Sequence, residues 1–394
     1  MSSRTKPSLP PVNGTPRGAA LRVLVAGGGV AGLEAVLALS KLAGDRVDLT
    51  LLTPDEEFVY RPLEVLAPFD SGAVVRAPWS EIAAELHLKH IPDALASVDP
   101  DAGVVRTESG RLTSYDVLVV AAGASRRVAV PGALTVGMPG TSEKLAGMLA
   151  ELTVGTVARI AFVAPLGVAW TLPIYELALL TATHARDVGA GAKLAVITAE
   201  SEPPQVLGSG AGTLARKLLA EHGIAVHTGC VADSYEHGYL RLELAGAVAV
   251  AGAVVALPRL EGPRIPGLPA TAEGFLAVDG NGRVRGEDAV YAAGDVTSFP
   301  IKQGGLATQQ ADAAAAHIAV RAGVSVAREA FDPVLRGPML TGGASRFLRR
   351  GGVTETSRTE IADEPLWWPP VKIVGRHLTP YLAERAERAR SSRR

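Results

Sequence analysis

The chain has 394 residues, of which 47% are hydrophobic and 20% charged, as expected for a large globular protein of about two domains. Its formal net charge of −1 excludes a global basic field that would attract nucleic acid. The single cysteine, Cys230, excludes an intramolecular disulfide and a cysteine metal cluster, so we expect no metal and a reducing, cytoplasmic location.

The first predicted elements are a proline-rich arm and a βαβ unit. Residues 1–20 contain four prolines and no apolar stretch long enough for a signal peptide, which predicts a disordered arm. Leu21–Ala26 predicts a short buried strand, Gly27–Gly29 a turn, Gly32–Leu42 a helix and Val47–Leu52 a second strand. A βαβ unit of about 30 residues is the minimal dinucleotide-binding module.

The same alternation continues along the chain. The further predicted strands and helices, in chain order, are Tyr115–Ala121, Arg159–Ala164, Thr171–Arg186 (helix), Lys193–Thr198, Asp288–Ala293 and about Leu306–Ala322 (helix). The charge-free run Leu244–Leu257 is shorter than the ~20 residues of a membrane-spanning helix, and predicts two short strands around a turn.

These elements predict an α/β fold with two Rossmann-like dinucleotide-binding domains plus a C-terminal extension. The glycine count of 43 and the aromatic fraction of 5% suit tight βα turns and closely packed helices. The first domain is predicted to be discontinuous, and the second is inserted into it. The predicted divisions are the arm 1–20, the first domain 21–125 and 261–322, the second domain 126–260, and the extension 323–394.

A G-x-G-x-x-G pattern follows the first strand. Gly27 permits a tight turn, Gly29 lets the backbone approach a pyrophosphate, and Gly32 lets the helix pack closely on the strand. The start of the helix, with Val30 and Ala31, offers free N–H groups and a partial positive charge to phosphates. Because a strand precedes the pattern and a helix follows it, a merely structural glycine turn is the weaker interpretation.

Two further positions concern the ribose and the polyol chain of a dinucleotide. The acid that usually binds the ribose hydroxyls is replaced by Thr53, so either its hydroxyl takes this role or Asp55 reaches back. Gly294 and Asp295 end a predicted strand, where Asp295 is placed to bind a polyol hydroxyl. The alternative for Asp295 is a helix-capping or turn aspartate.

Three segments together resemble the FAD fingerprints of the pyridine-nucleotide-disulfide-oxidoreductase-like flavoproteins. They are GGGVAG (Gly27–Gly32), YDVLVVAAG (Tyr115–Gly123) and YAAGDV (Tyr291–Val296). The resemblance implies that FAD is the cofactor and that the discontinuous domain binds it. It also implies that Ala122 and Gly123 belong to the binding site.

Two more segments resemble the branch that contains sulfide:quinone oxidoreductases, flavocytochrome c sulfide dehydrogenases and type II NADH dehydrogenases. The first, EFVYRPL (Glu57–Leu63), would lie near the adenosine–flavin path with Arg61, and the second is PIKQGGLATQQADAAAAHIA (Pro300–Ala319). By resemblance, the second presents the backbone N–H groups of Gly305, Leu306 and Ala307 to the flavin pyrimidine ring, with Lys302 close by. A helix N-terminus and a lysine would stabilise the negative charge of reduced flavin, whereas the alternative for Lys302 is a solvated loop lysine.

The second domain departs from its relatives at the glycine loop. The aligned stretch, residues 165–170, replaces two required glycines with Pro165 and Trp170, which removes a phosphate-facing N–H and fills the helix–strand contact. Glu200 keeps the acidic position, but it cannot restore the phosphate site, and ordinary NADH binding is predicted to be lost. The glycines of Gly208–Gly212 predict a loop or a helix start and no substitute site.

The redox cysteines of sulfide:quinone oxidoreductases are also missing. The second loop offers Ala164 and Ala169 instead, and Cys230 lies after a different predicted strand. One cysteine cannot form an intramolecular disulfide relay. We therefore interpret Cys230 as a packed small residue rather than a nucleophile.

Glu176 is the candidate proton carrier. In the relatives, a glutamate at the start of this helix points toward the flavin or the quinone pocket, where burial would raise its pKa. The alternative is a first-turn acid that interacts with the helix dipole. Tyr60 and Tyr175 are candidate walls of the same pocket.

The C-terminal segment combines Trp367 and Trp368 with Lys372, Arg376 and further arginines. Aromatic and basic residues together are typical of an interfacial membrane anchor, which would place the protein on the inner face of the plasma membrane. Alternatively, the tryptophans cover the FAD domain or a homodimer interface and the tail is solvated.

The sequence thus predicts an FAD-dependent oxidoreductase with Lys302 and Glu176 in catalytic roles. Electrons would pass through flavin to a quinone or another small-molecule acceptor, while the donor stays unidentified. The two alternatives are a type II NADH dehydrogenase-like enzyme and a flavin-binding protein that has lost its redox chemistry.

Overall fold

The computed structural model describes residues 19–69, 75–168, 170–243, 248–352 and 357–391. Most of the predicted arm, the position of Ala169, the first four residues of the charge-free run and the last three of the basic tail therefore lie outside the described residues.

The first sheet has five parallel strands with buried, mostly β-branched or leucine side chains. In spatial order the strands are Val290–Ala292, Val117–Val120, Leu21–Ala26, Val47–Leu52 and Lys89–Ile91. The central strand is buried except at Arg22, because helices or loops cover both faces of a parallel sheet. The edge strand Val290–Ala292 comes from late in the chain, so the sheet is built from two distant segments.

The second sheet repeats this architecture. Its five parallel strands, in spatial order, are Leu134–Thr135, Ala253–Ala256, Arg159–Ala164, Lys193–Thr198 and Ala225–His227. Between them the two sheets account for the two dinucleotide-type folds, and the second interrupts the first in sequence.

Seven α-helices occur in the described part of the chain, and most of them cover the two sheets. They are α1 Val30–Ala43, α2 Trp79–Glu85, α3 Thr141–Thr153, α4 Leu172–Asp187, α5 Gly208–Glu221, α6 Gly304–Arg321 and α7 Leu378–Ser391. Helices α1 and α6 pack against each other and against one face of the first sheet through alanines and leucines. Helices α4 and α5 cover the second sheet in the same manner.

Small antiparallel sheets accompany the two large parallel sheets. The three-stranded sheets are Leu95–Asp99 with Val104–Thr107 and Leu112–Ser114, Ala232–Glu236 with Tyr239–Leu242 and Val248–Val250, and Val334–Met339 with Arg346–Gly351 and Thr359–Ala362. The two-stranded pairs are Ser125–Arg127 with Arg259–Glu261 and Glu57–Val59 with Arg76–Pro78. Short 3-10 helices cover Gly44–Arg46, Arg61–Phe69 and Gln205–Leu207.

The C-terminal extension connects the two large sheets. Leu335 and Leu348 of its antiparallel sheet lie in the core around α4, whereas Ile373 and Leu378 lie in the core around α1 and α6. None of the described helices is long and apolar enough to cross a membrane.

The predicted fold class is confirmed, and four predicted strands have the observed bounds. The strands predicted at Tyr115–Ala121 and Asp288–Ala293 are shorter, at Val117–Val120 and Val290–Ala292. Tyr115 leaves the first sheet because its N–H donates to the Gly103 carbonyl oxygen at 2.8 Å. The predicted domain bounds stay a proposal.

Candidate functional site

The glycine loop is tightly packed on one side and open on the other. A Cβ on Gly27, whose φ is +120°, would lie 2.2 Å from the Ala121 carbonyl oxygen, and one on Gly32 would lie 1.9 Å from the Gly27 carbonyl oxygen. A Cβ on Gly29 would meet no described atom within 4 Å. Helix α1 begins at Val30, and its first hydrogen bond runs from Leu33 N to Gly29 O at 2.9 Å. The N–H groups before Leu33 are therefore free for a ligand, and the open side fits a pyrophosphate.

Thr53, which is predicted to bind the ribose, lies against the glycine loop, and its role stays a prediction. Thr53 has no exposed surface, and its Oγ1 accepts a hydrogen bond from the Asp55 N–H at 3.3 Å. A Cβ on Gly28 would lie 2.6 Å from Thr53 Oγ1 and 2.8 Å from Trp79 Nε1. The Thr53 hydroxyl is therefore packed against the glycine loop. Asp55, the alternative, is exposed at the strand edge.

Gly294 and Asp295 lie beside the same loop. Gly294 has a φ of +84°, and a Cβ there would lie 3.0 Å from the Ala31 Cβ. Its N–H donates to Gln310 Oε1 at 2.8 Å, a contact that no local sequence signal indicated. Burial raises the pKa of Asp295, while Lys302 and Arg126 oppose the shift. Ala122 is exposed and Gly123 is half-buried.

The start of helix α6 differs from the prediction. The Leu306 N–H donates to Gln303 Oε1 at 2.9 Å, and the Ala307 N–H donates to the Gln303 carbonyl oxygen at 3.0 Å. Leu306 and Ala307 therefore do not present free N–H groups, because Gln303 caps the helix with its own side chain and backbone. Gly305 is buried behind the same cap.

Lys302 lies at the cavity rather than in solvent. Its Nζ donates to the Thr297 carbonyl oxygen and sits 4.0 Å from the centre of the Phe275 ring. Burial lowers the pKa of Lys302 to about 8, and the neighbouring Asp295 opposes this shift. The alternative of a freely solvated loop lysine does not fit these contacts.

A cavity of about 690 Å³ opens between the two dinucleotide-type folds. It is lined by Arg61, Asp295 and Lys302 from the first fold, and by Trp170 and Glu176 from the second. The C-terminal extension contributes the remaining wall, including Arg336, Lys372 and Ile373. Four predicted site residues, which come from three distant parts of the sequence, thus meet around one space.

Glu176 and Lys372 form a buried ion pair at this cavity. Lys372 Nζ donates to Glu176 Oε2 at 2.5 Å, and the Leu340 N–H donates to Glu176 Oε1 at 3.0 Å. The Lys372 side chain is only 12% exposed, and the Glu176 side chain only 1%. Burial raises the pKa of Glu176, and Lys372 opposes the shift. The sequence analysis placed Lys372 only in a basic C-terminal segment. Its pairing with Glu176 could not be predicted, because 196 residues separate the two partners.

Tyr60 and Tyr175 are not walls of the cavity, which corrects the prediction. The Ile373 N–H donates to Tyr60 Oη at 2.8 Å, so Tyr60 holds the C-terminal extension, and burial raises its pKa to about 12. Tyr175 is fully buried, and its hydroxyl donates to Glu200.

The second loop has lost the features of a phosphate site. Trp170 is half-buried against the core around α4, and helix α4 starts only at Leu172. Glu200 accepts from Thr171 Oγ1 at 3.1 Å and from the Gln205 N–H at 2.8 Å, so its carboxylate is engaged within the protein. Gly208 starts helix α5, and Cys230 is half-buried.

Comparison with known proteins agrees with this geometry. Residues 176–323 match the family described as pyridine nucleotide-disulphide oxidoreductase. The sulfide-quinone reductase of Aquifex aeolicus is 30% identical over 106 residues, which are 26% of this chain and 24% of that protein. The mitochondrial sulfide:quinone oxidoreductase of Mus musculus is 30% identical over 104 residues, 26% of this chain and 22% of that protein. The matched segments thus span about a quarter of these relatives.

Solved structures share the fold over most of the chain. The sulfide:quinone oxidoreductase of Aquifex aeolicus superposes with a TM-score of 0.78 and 22% identity, covering 87% of each chain. A ferredoxin reductase from Rhodopseudomonas palustris gives a TM-score of 0.65 and 20% identity, covering 84% of this chain and 82% of that one. The chain is thus similar in part of its sequence to the pyridine nucleotide-disulphide oxidoreductases and the sulfide:quinone reductases, and it shares the fold of the latter over most of its length.

Proposed function

We propose that the protein is an FAD-dependent oxidoreductase that passes electrons from a small-molecule donor to a quinone-like acceptor. The observation that carries this proposal is the Glu176–Lys372 pair, which lies on the wall of a cavity adjoining the predicted FAD path. When bound, FAD accepts and releases two electrons at one site. Gly27, Gly29, Val30, Ala31 and Gly32 would hold its pyrophosphate.

The ion pair supplies what a quinone acceptor needs in addition to electrons. Reduction of a quinone to a quinol takes up two protons, and a side chain that changes its protonation state beside the quinone can deliver them. Glu176 and Lys372 share a proton-bearing contact at 2.5 Å. Burial raises the pKa of Glu176 and Lys372 opposes the shift, so this carboxyl group takes up a proton more readily than an exposed glutamate does.

Two other groups define the electrostatics of the site. Asp295 adjoins the predicted polyol position, and Lys302 places a cation beside it. Trp170 and Ile373 add apolar surface to the cavity wall. An apolar ring with polar oxygens would find both kinds of surface here.

The test is the reoxidation of reduced, FAD-loaded protein by a water-soluble short-chain quinone under anaerobic conditions. Glu176→Gln should slow this step by about 10²-fold, the lower end of the range for general acid–base groups, while flavin content stays unchanged. Glu143→Gln is the matched control, because Glu143 lines the same cavity but is exposed on α3. Lys372→Met should also slow the step, because it leaves a buried carboxylate unpaired.

A wild-type protein that quinones do not reoxidise would refute the proposed acceptor. Equal rates for the wild type and Glu176→Gln would remove Glu176 from proton delivery. FAD that binds but is neither reduced nor reoxidised by any donor or acceptor would favour a flavin-binding protein without redox chemistry.

A further inference from the structure

The cavity holds more positive than negative side chains. Six cationic residues line it: Arg61, Arg76, Arg126, Lys302, Arg336 and Lys372. Five of them have a carboxylate neighbour, namely Glu64 for Arg61 at 3.4 Å, Glu57 for Arg76 at 3.5 Å, Glu176 for Lys372 at 2.5 Å, and Asp295 for both Lys302 and Arg126. Arg336 has no carboxylate neighbour among the described residues.

Arg336 carries an electrostatic cost that no described contact offsets. It is half-buried on the strand Val334–Met339, directly opposite Arg349 of the neighbouring antiparallel strand. Like charges at directly opposed positions destabilise a sheet. Arg349 is paired with Glu360 at 3.3 Å. Arg336 lines the cavity and has no carboxylate partner among the described residues. Burial and Arg349 both lower the pKa of Arg336.

A neutral side chain at this position would avoid both the burial of a charge and the repulsion. Positions that break a local rule without an internal compensation are expected at functional sites. A guanidinium presents a planar fork of N–H donors that matches carboxylates and other oxyanions. The missing partner of Arg336 is therefore best supplied by an anion that enters the cavity.

The FAD pyrophosphate is not that anion. Its predicted position is the open side of Gly29 and the start of α1, and none of the residues Gly27–Gly32 lines the cavity. Lys302 already stands at the first-fold side of the space, beside Asp295. Arg336 belongs to the wall formed by the C-terminal extension, together with Gly337 and Pro338.

We propose that the cavity binds a substrate that carries an oxyanion group, with Arg336 as the residue that binds its charge and Arg126 as a second cation in the same space. This inference rests on the proposed function and narrows its substrate class: the molecule combines a planar redox-active ring with a carboxylate, sulfonate or similar group. Arg336 is a specificity-determining residue, and Glu176 serves the chemical step.

A pair of probes that differ by one anionic sulfonate group tests the proposal. Dissociation constants of 1,4-naphthoquinone and its 2-sulfonate are measured on the oxidised, FAD-loaded protein by perturbation of the flavin spectrum. Arg336→Gln should weaken binding of the sulfonate by about 10- to 100-fold, the range expected for loss of a charged hydrogen bond. Binding of the uncharged quinone should change less than twofold. Arg349→Gln is the matched control, because it removes a cation from the same sheet but outside the cavity lining.

The stability of the variant gives a second readout. A structural cation would lower the melting temperature when removed, whereas an uncompensated one would leave it unchanged or raise it. We expect Arg336→Gln to keep its FAD and to melt no lower than the wild type. Arg336→Lys retains the charge without the planar fork and should recover part of the sulfonate binding.

The outcomes separate this inference from the proposed function. Equal effects of Arg336→Gln on both probes, or no effect on either, would overturn the anion site even if quinones reoxidise the flavin. Sulfonate binding that depends on Arg336, in a protein that no quinone reoxidises, would support the anion site and refute the quinone acceptor. Loss of FAD from Arg336→Gln would assign the guanidinium to the cofactor and overturn the proposal.

Discussion

Lys302 is the residue at which electrostatics should act on the flavin most directly. Its Nζ is bound to the Thr297 carbonyl oxygen, and Asp295 neutralises part of its charge. Helix α6 starts at the same place, but Gln303 occupies its first N–H groups. The lysine, rather than free backbone donors, therefore carries the positive charge at this end of the cavity.

We predict that Lys302→Ala lowers the flavin reduction potential by some tens of millivolts while FAD stays bound. A charged hydrogen bond is worth ~1–3 kcal/mol, and 1 kcal/mol is roughly 20 mV for two electrons. The pKa of Lys302 is about 8, so the difference from the wild type should shrink as pH rises above 8. Spectroelectrochemical titration at several pH values checks this prediction, and Lys302→Arg should restore part of the potential. Equal potentials for the alanine variant and the wild type would contradict it.

A second feature at the residue scale is a pair of buried acids on helices α1 and α6, outside the cavity lining. The carboxylate of Glu34 on α1 accepts the N–H groups of His377 and Leu378 at 2.9 and 2.6 Å, and so caps helix α7. Asp312 on α6 adjoins Glu34, and burial together with this neighbour raises the pKa of Asp312 to about 8. Burial also raises the pKa of Glu34. The pair is therefore stable while it holds a proton.

The pH dependence of stability follows from this pair. Because its folded pKa is raised, Asp312 stabilises the fold fully below its unfolded pKa of about 4. This contribution is lost as pH rises through the folded value of about 8. We predict that the melting temperature of the wild type falls between pH 5 and 8.5 by more than that of Asp312→Asn. Differential scanning fluorimetry across this range provides the measurement, and parallel curves would show that the pair does not couple to folding.

At the level of elements, the second glycine loop bears on whether NADH can be the electron donor. Pro165 and Trp170 replace the small residues of a phosphate-binding turn, and α4 starts late, at Leu172. Glu200, the acid that could bind a ribose, is occupied by Thr171, Tyr175 and the Gln205 N–H. The loop thus lacks the small residues of a phosphate-binding turn, and the nearby Glu200 carboxylate is engaged within the protein.

We predict that NADH reduces the bound flavin slowly or not at all. Stopped-flow absorbance with micromolar NADH under anaerobic conditions checks this prediction, with photoreduction as a control for flavin competence. Rapid bleaching by NADH would contradict it and favour a type II NADH dehydrogenase-like activity.

The sequence predicts some elements of this fold well and others poorly, for physical reasons. Leu21–Ala26 and Lys193–Thr198 are predictable because their apolar runs end at turn residues. Lys372 and Glu34 find partners more than a hundred residues away, which no local pattern reports. One signal was present for Glu34, since an acid within an apolar helix that is buried on nearly all sides must find donors. The burial of Thr53 against the glycine loop could not be predicted, because its position along the strand does not reveal where the side chain lies.

At the scale of the whole molecule, the C-terminal extension is built into both folds. Lys372 reaches Glu176 near α4, while Ile373 and Leu378 lie in the core around α1. Deleting the chain from Pro365 onward would remove these contacts and would disturb flavin binding together with any surface function. A contact with membranes, like a homodimer interface, stays a prediction and needs a more selective variant.

Trp368 offers that variant, because it is 83% exposed whereas Trp367 packs against Phe347. If the proposed acceptor is a membrane quinone, the protein must reach a membrane surface. We predict that Trp368→Ser weakens binding to anionic liposomes several-fold without changing flavin content, since an interfacial tryptophan is lost. Co-sedimentation measures the binding, and Tyr239→Ser removes another exposed aromatic as a control. Equal sedimentation of all three proteins would leave Trp368 without a role in membrane binding.

The late edge strand of the first sheet sets the order in which a growing chain can become functional. Val290–Ala292 pairs with Val117–Val120, although about 170 residues separate them. At synthesis rates of roughly 5–20 residues per second, the first segment waits about 10–30 s for its partner. During this interval one edge of the parallel sheet and the apolar face of α1 that later packs against α6 have no cover. The second domain can fold meanwhile, since its own sheet closes at Ala253–Ala256. The nascent chain should therefore depend on chaperones most until the segment Val290–Arg321 has been made, and it should acquire FAD only after that.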